Sequence, residues 1–327
     1  MKALVMSFLL ILAGSLSATI HIVNNLPNTD PDFTNLSLAY SSAAVGDTLY
    51  ICGSVTSYGN LTLSKKLTLI GPGYFLEQNP HTQVNTETAK LGTITFSTGS
   101  SGSLISGLFV SKVVLNANDI TIMRNRLQGG ADTVSLGSGA SNIALIQNAL
   151  YISSSFSSDH FLHFAGSNSG ILISNNILRS STYQKIIIPN TSSALVEHNV
   201  FEGPSVTVAN TVFQNNIMRS GYFSSTSNNT VLNNIGNSNQ FGDANGNISN
   251  IDMNYVFTLG SSEDGMYTLA FGSPGIGGGL NGADCGIFGG ASPYVLSGMP
   301  EGIPSIYEFS APASGFTFPI QVKARAH

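Results

Sequence analysis

The chain has 327 residues and a formal net charge of −5, and charged residues make up only 9% of it, against about 25% in typical soluble proteins. Its 12 Lys and Arg residues are scattered, only Lys65 and Lys66 being adjacent, and form no basic stripe to neutralise phosphates, which argues against nucleic acid as a partner. Hydrophobic residues reach 42% and fall in regular runs, which excludes a disordered chain and leaves Ser, Asn, Thr and Gly to make the surface polar.

In chain order, Lys2, the apolar run at residues 3–13 and the small residues SLSA at 15–18 have the layout of a signal peptide over residues 1–18. The expectation is an exported protein, secreted, periplasmic or at the cell surface, with no transmembrane segment in the mature chain. Residues 19–48 are expected to cap the fold with a short amphipathic helix, N-capped by Asp32 and presenting Phe33, Leu36, Tyr40 and Ala43 on one face. Residues 49–290 carry a repeat in which apolar residues surround an asparagine: Asn125, Asn148, Asn176, Asn199, Asn216 and Asn234. These are spaced 23, 28, 23, 17 and 18 residues apart, a period that signals stacked repeats. Short strand-like runs end at Leu136 and Phe164, each 12 residues before a repeat asparagine, so they belong side by side. The asparagines are expected at tight corners in the left-handed region, with their amides stacked into a ladder. Residues 291–327, richer in Pro and aromatics, read as a tail on or beyond the repeats. Cys52 and Cys285 lie near opposite ends and are expected as free thiols.

The segments VGDTLYI at 45–51, LTLSKKLTLIG at 61–71, SPGIGGG at 273–279 and DCGIFG at 284–289, with the asparagine repeats, resemble secreted pectate-lyase-like right-handed parallel β-helix proteins of Bacteroidetes-type bacteria. The resemblance implies an all-β chain folded as a single-stranded right-handed parallel β-helix, a solenoid. It also implies a place to look for activity. Members that cleave pectin by elimination use clustered acids for calcium with a Lys or Arg base. Those that hydrolyse it use several Asp, a Gly-His-Gly turn and an Arg-Ile-Lys triplet. This chain has no adjacent Asp pair and neither motif, and Asn28-Thr29-Asp30, which matches one hydrolase triplet, precedes the repeats.

Two constellations remain. Three residues after successive repeat asparagines stand Gln128, Tyr151, Arg179, Glu202, Arg219 and Asn237. Stacked about 4.8 Å apart they would make a polar groove for an acidic or neutral glycan, with Tyr151 as a stacking platform, or else a plain salt-bridge ladder. Asp159, His160 and His163 form the second set, with His160 aligned to Asp132 and able to serve as an oriented general base. Three residues apart on a strand, the two histidines should face opposite ways and share no metal. The stretch 243–247 (DANGN) with Asp252 lacks the spacing of a calcium loop, so no cofactor is expected, calcium having no ligand cluster. The leading expectation is a non-catalytic exported protein that contacts glycan or cell-surface material along one face. A polysaccharide lyase or glycoside hydrolase, and a structural envelope component or adhesin, are the alternatives.

Overall fold

The computed structural model describes residues 18–152, 160–181, 185–258, 260–311 and 320–326. Residues 1–17 of the expected signal peptide, and Asp159, lie outside the described residues. Among the described residues the regular elements are nearly all strands, with one α-helix, Leu36–Ser42. That helix is capped by Asn35, whose side-chain oxygen accepts from the N–H groups of Ser37 and Leu38, and not by the expected Asp32. Asp32 instead accepts from the N–H of Ile22 at 2.7 Å, tying the entry loop to the first strand.

Ten parallel strands form one sheet, in the order Ile20–Val23, Thr48–Ile51, Thr68–Ile70, Leu104–Ser106, Ile120–Met123, Ile143–Ile146, Ile171–Ser174, Ala194–Glu197, Thr211–Gln214 and Thr230–Leu232. Period-two alternation builds it: Ile122, Leu145, Ile173, Val196 and Phe213 stand in one register row and are buried, while their neighbours Thr121, Ala144, Leu172, Leu195 and Val212 face outward. The register offsets in this part equal the asparagine spacings.

A second network of 12 strands faces it. Here the fold departs from the expected single-stranded right-handed β-helix. Phe109–Leu115 pairs with both Arg126–Gly129 and Val134–Leu136, and Val200–Val208 pairs with both Ile177–Ser180 and Lys185–Ile188. With Ala149–Ile152 and His160–Phe164 these pairings close on themselves. The result is a closed eight-stranded parallel barrel joined to parallel sheets, not a solenoid of separate strips. The physical reason lies in two long strands of 7 and 9 residues, which continue through the point where the repeat predicted a corner, the longer one turning at Gly203 (φ 98°), and so link two rows of shorter strands. Leu136 and Phe164 are register partners within it.

The principal core fills the space between the two networks. A second apolar cluster lies outside it. The residues immediately after the repeat asparagines, Ala149, Ile177, Val200, Ile217 and Ile235, form one register row facing away from the principal core. That row is covered by Val256, Phe257, Tyr267, Cys285, Ile287 and Tyr294 of the C-terminal segment, which therefore runs along the strands as a strap. Both cysteines are free, Cys285 buried and Cys52 half-buried, and burial pushes the Cys285 thiol up to about 12.

Candidate functional site

The six repeat asparagines are fully buried and joined by hydrogen bonds. Each Nδ2 donates to the Oδ1 of the next: Asn125 to Asn148 at 3.2 Å, Asn148 to Asn176 at 3.0 Å, Asn176 to Asn199 at 3.0 Å, Asn199 to Asn216 at 3.0 Å and Asn216 to Asn234 at 3.1 Å. The same Oδ1 atoms also accept the backbone N–H of the preceding asparagine, each at 2.9 Å. Asn247 is a further rung, accepting from Asn234 at 3.1 Å. Its spacing of 13 residues falls below the repeat period, which is why the periodicity missed it. At the other end Leu108 takes the ladder position. Continuing the register of Ile70 with Ser106 sets Pro72 beside it, and a proline has no N–H that needs an acceptor.

The expected backbone role of these asparagines is corrected by the structure. The left-handed residue is the one before each: Arg124, Gln147, Asn175, His198, Asn215 and Asn233 have φ between 53° and 57°. Their side chains point outward and hold the strap. Arg124 donates to Met299 O at 3.0 Å, Gln147 to Pro293 O at 2.7 Å, Asn175 to Gly289 O at 2.7 Å and Asn233 to Gly278 O at 3.2 Å. Asn215 Oδ1 accepts from Leu280 N–H at 2.8 Å, so its Nδ2 is the donor toward His198 Nε2 at 3.1 Å. His198 is therefore neutral with its proton on Nδ1, and burial holds its pKa below the ordinary value even though Glu197 and Asp284 oppose that. Two dipeptide positions thus do separate work, the asparagine inside and its predecessor outside.

Beside the strap the strands leave a groove of about 330 Å³ lined by Arg126, Gln128, Tyr151, Arg179, Glu202 and Glu263, among others. Gln128, Tyr151, Arg179 and Glu202 lie in one register row on four neighbouring strands, so parallel pairing brings them together. Arg219 falls one residue out of that row, because the register slips and Glu202 pairs with Ser220. Its guanidinium still reaches Glu202 at 3.2 Å, and Arg179 lies 3.7 Å from the other carboxylate oxygen. Tyr267, a strap residue that the repeat pattern could not reveal, donates its hydroxyl to Glu202 at 2.8 Å. Burial and the Glu202 charge push the Tyr267 phenol far above its usual range. Burial works against the charge on Arg179, but Glu202 together with Tyr267, Tyr151 and Glu263 outweighs it and the guanidinium's pKa rises.

Tyr151 does not offer an open stacking face: it is 9% exposed, edge-on to Phe75 at 5.9 Å, and its hydroxyl reaches Glu263 O at 3.4 Å. Arg126 stands in the register row otherwise held by Ala149 and Ile177, with its guanidinium 4.5 Å from the Phe75 ring, 5.3 Å from Phe109 and 5.5 Å from Tyr151. It also lines a neighbouring groove of about 280 Å³ with Glu77, Glu87 and Lys90, so the two grooves meet at this residue.

Asp132, His160 and His163 do not line either groove. Asp132 and His160 contact at 3.7 Å, each about one-third exposed. The two histidine rings lie 5.1 Å apart, which overturns the expectation of opposite faces. A register break between His160 and Leu162 is the cause, since it buries Phe161 and Leu162 in succession and turns both rings to one side. Among the described residues, no group of three or more His, Cys, Asp or Glu side chains could hold a metal ion. Asp243 and Asp252 cap turns, accepting from the N–H groups of Ser249 and Asn254.

No family model, no curated protein and no solved structure matches this chain, so nothing among known proteins supports the resemblance to pectate-lyase-like proteins.

Proposed function

We propose that this chain is an exported, non-catalytic protein that binds a polyhydroxylated chain, a glycan, in the groove between the strand row and the strap. The observation that carries the reading is the state of Glu202. Two guanidinium groups and a phenol surround its carboxylate, Oε2 taking hydrogen bonds from Arg219 and Tyr267 while Oε1 lies 3.7 Å from Arg179. A carboxylate held this way can orient ligand hydroxyl groups through Oε1, while Oε2 is already occupied by two donors. Arg179, about 40% exposed, keeps its outer guanidinium edge toward solvent and supplies donors to a ligand. Gln128 adds an amide beside it.

Titration calorimetry of the purified chain against acidic and neutral oligosaccharides tests this, alongside assays for new reducing ends and for unsaturated uronates. The expected result is saturable binding with no product, weakened about tenfold by Arg179→Ala, the equivalent of about 1.4 kcal/mol. No binding to any oligosaccharide, or release of product from one, overturns the proposal. Export rests on Lys2 and the apolar run that follows, and mature protein recovered with its first residue near Ala18 or Thr19 supports it.

A further inference from the structure

The histidine pair on the strand His160–Phe164 carries an inference separate from the groove. His163 and Ser135 are register partners, and Ser135 Oγ lies 3.4 Å from His163 Nδ1. His160 Nδ1 faces Asp132 Oδ1 at 3.7 Å, and Asp132 is fixed there by its own N–H, which donates to His160 O at 2.9 Å. Each ring therefore has its Nδ1 against an oxygen group of the neighbouring chain segment, which leaves Nε2 as the nitrogen available to a ligand. Among the described residues neither Nε2 has a hydrogen-bond partner, and both side chains are accessible. Metal-binding histidines are commonly oriented through one ring nitrogen, often by a carboxylate, with the other nitrogen facing the ion. Two imidazoles bound through Nε2 to one tetrahedral ion place their ring centres about 5 Å apart, given bonds of about 2.0 Å, and the rings here are 5.1 Å apart.

We infer that His160 and His163 form a two-histidine site for a divalent transition ion of the zinc and copper class, the remaining positions being filled by water. Imidazole nitrogen suits these ions, whereas magnesium and calcium prefer oxygen. Asp132 acts as a positioning residue on His160.

The test uses the full, untagged chain. Calorimetry with Zn2+ and electron paramagnetic resonance with Cu2+ should both show one ion per chain, the copper spectrum carrying coupling from two imidazole nitrogens. His160→Ala and His163→Ala should each weaken binding at least tenfold and leave one coupled nitrogen or none. Asp132→Asn should weaken it about tenfold while both nitrogens remain coupled. Both histidines are partly exposed, so thermal melting and circular dichroism should stay at the parent values, and His160→Gln provides a second variant if the alanine form melts early. Absence of a stoichiometric ion, or binding unchanged in folded His160 and His163 variants, overturns the inference. The other described histidines, His21 beside Asp47, His81 against Tyr307 and buried His198, are unaltered controls within the same molecule.

Discussion

A single ladder asparagine answers to several backbone groups at once. Asn176 donates to the carbonyls of Leu145 and Ser174 and to Asn199 Oδ1, and its own Oδ1 accepts both the N–H and the Nδ2 of Asn148. Replacing it with leucine leaves buried donors above and a buried acceptor below, each costing about 1–3 kcal/mol. Asn176→Leu and Asn199→Leu should each lower the thermal midpoint, by about 3 kcal/mol or more in stability. An unchanged melting temperature in either variant would show that the rungs are replaceable. Leu108 marks the one place where the exchange is tolerated, because the neighbour beyond it is Pro72.

At the scale of elements, the strap depends on side chains that the repeat pattern hides. A residue in left-handed backbone points away from the core, and His198 in that position lies under Gly289 and Gly290, where an added Cβ at either would come within 2.8 Å of its ring. The histidine accepts from Asn215, so a proton on Nε2 removes that bond and adds a buried charge. Its folded pKa lies below the unfolded 6.5, so the neutral form contributes stability that is complete above about pH 6.5 and lost as pH falls through the folded value. Protection factors at residues 284–290, taken from hydrogen exchange after correction for the intrinsic pH dependence of the amide rates, should therefore fall as pH drops below 6.5. In His198→Gln that loss of protection should be much reduced, and an identical pH profile of protection in the two proteins would remove His198 from the account.

For the whole molecule, acid stability has a second anchor at the opposite end. Asp47 accepts the N–H groups of Thr19 and Ala44 and pairs with His21 at 2.9 Å, and these bonds hold its pKa down to about 2. A depressed carboxylate stabilises the fold above its unfolded value of 3.8, and the contribution disappears as pH falls through about 2. The melting temperature of Asp47→Asn should fall below the parent at neutral pH, with the gap closing between about pH 4 and pH 2. A gap that persists at pH 2 would mean the asparagine disturbs packing instead. How far such features were legible in the residues varies with their range. The asparagine spacing equals the strand register because both count the same chain length between neighbouring strands, and Tyr151, Arg179 and Glu202 follow from it. Barrel closure was not legible, since it depends on Phe109–Leu115 and Val200–Val208 each reaching two partners, which local pattern does not encode. Tyr267 escaped for a similar reason: it reaches Glu202 from a segment without a repeat.

The strap also sets an order in time. Strands of the large sheet pair with partners 17 to 36 residues away, as Leu104 does with Thr121 and Thr68 with Leu104, so they can assemble while the chain is still being made. The contacts of Tyr74, Phe75 and Asn79 with Asp264, Tyr294 and Ser297 span 185 to 222 residues and must wait for the end of synthesis. Until then the row from Ala149 to Ile235 is bare, and each nascent molecule passes through an interval of exposed apolar surface, the stage at which a chaperone is of most use and crowding does most harm.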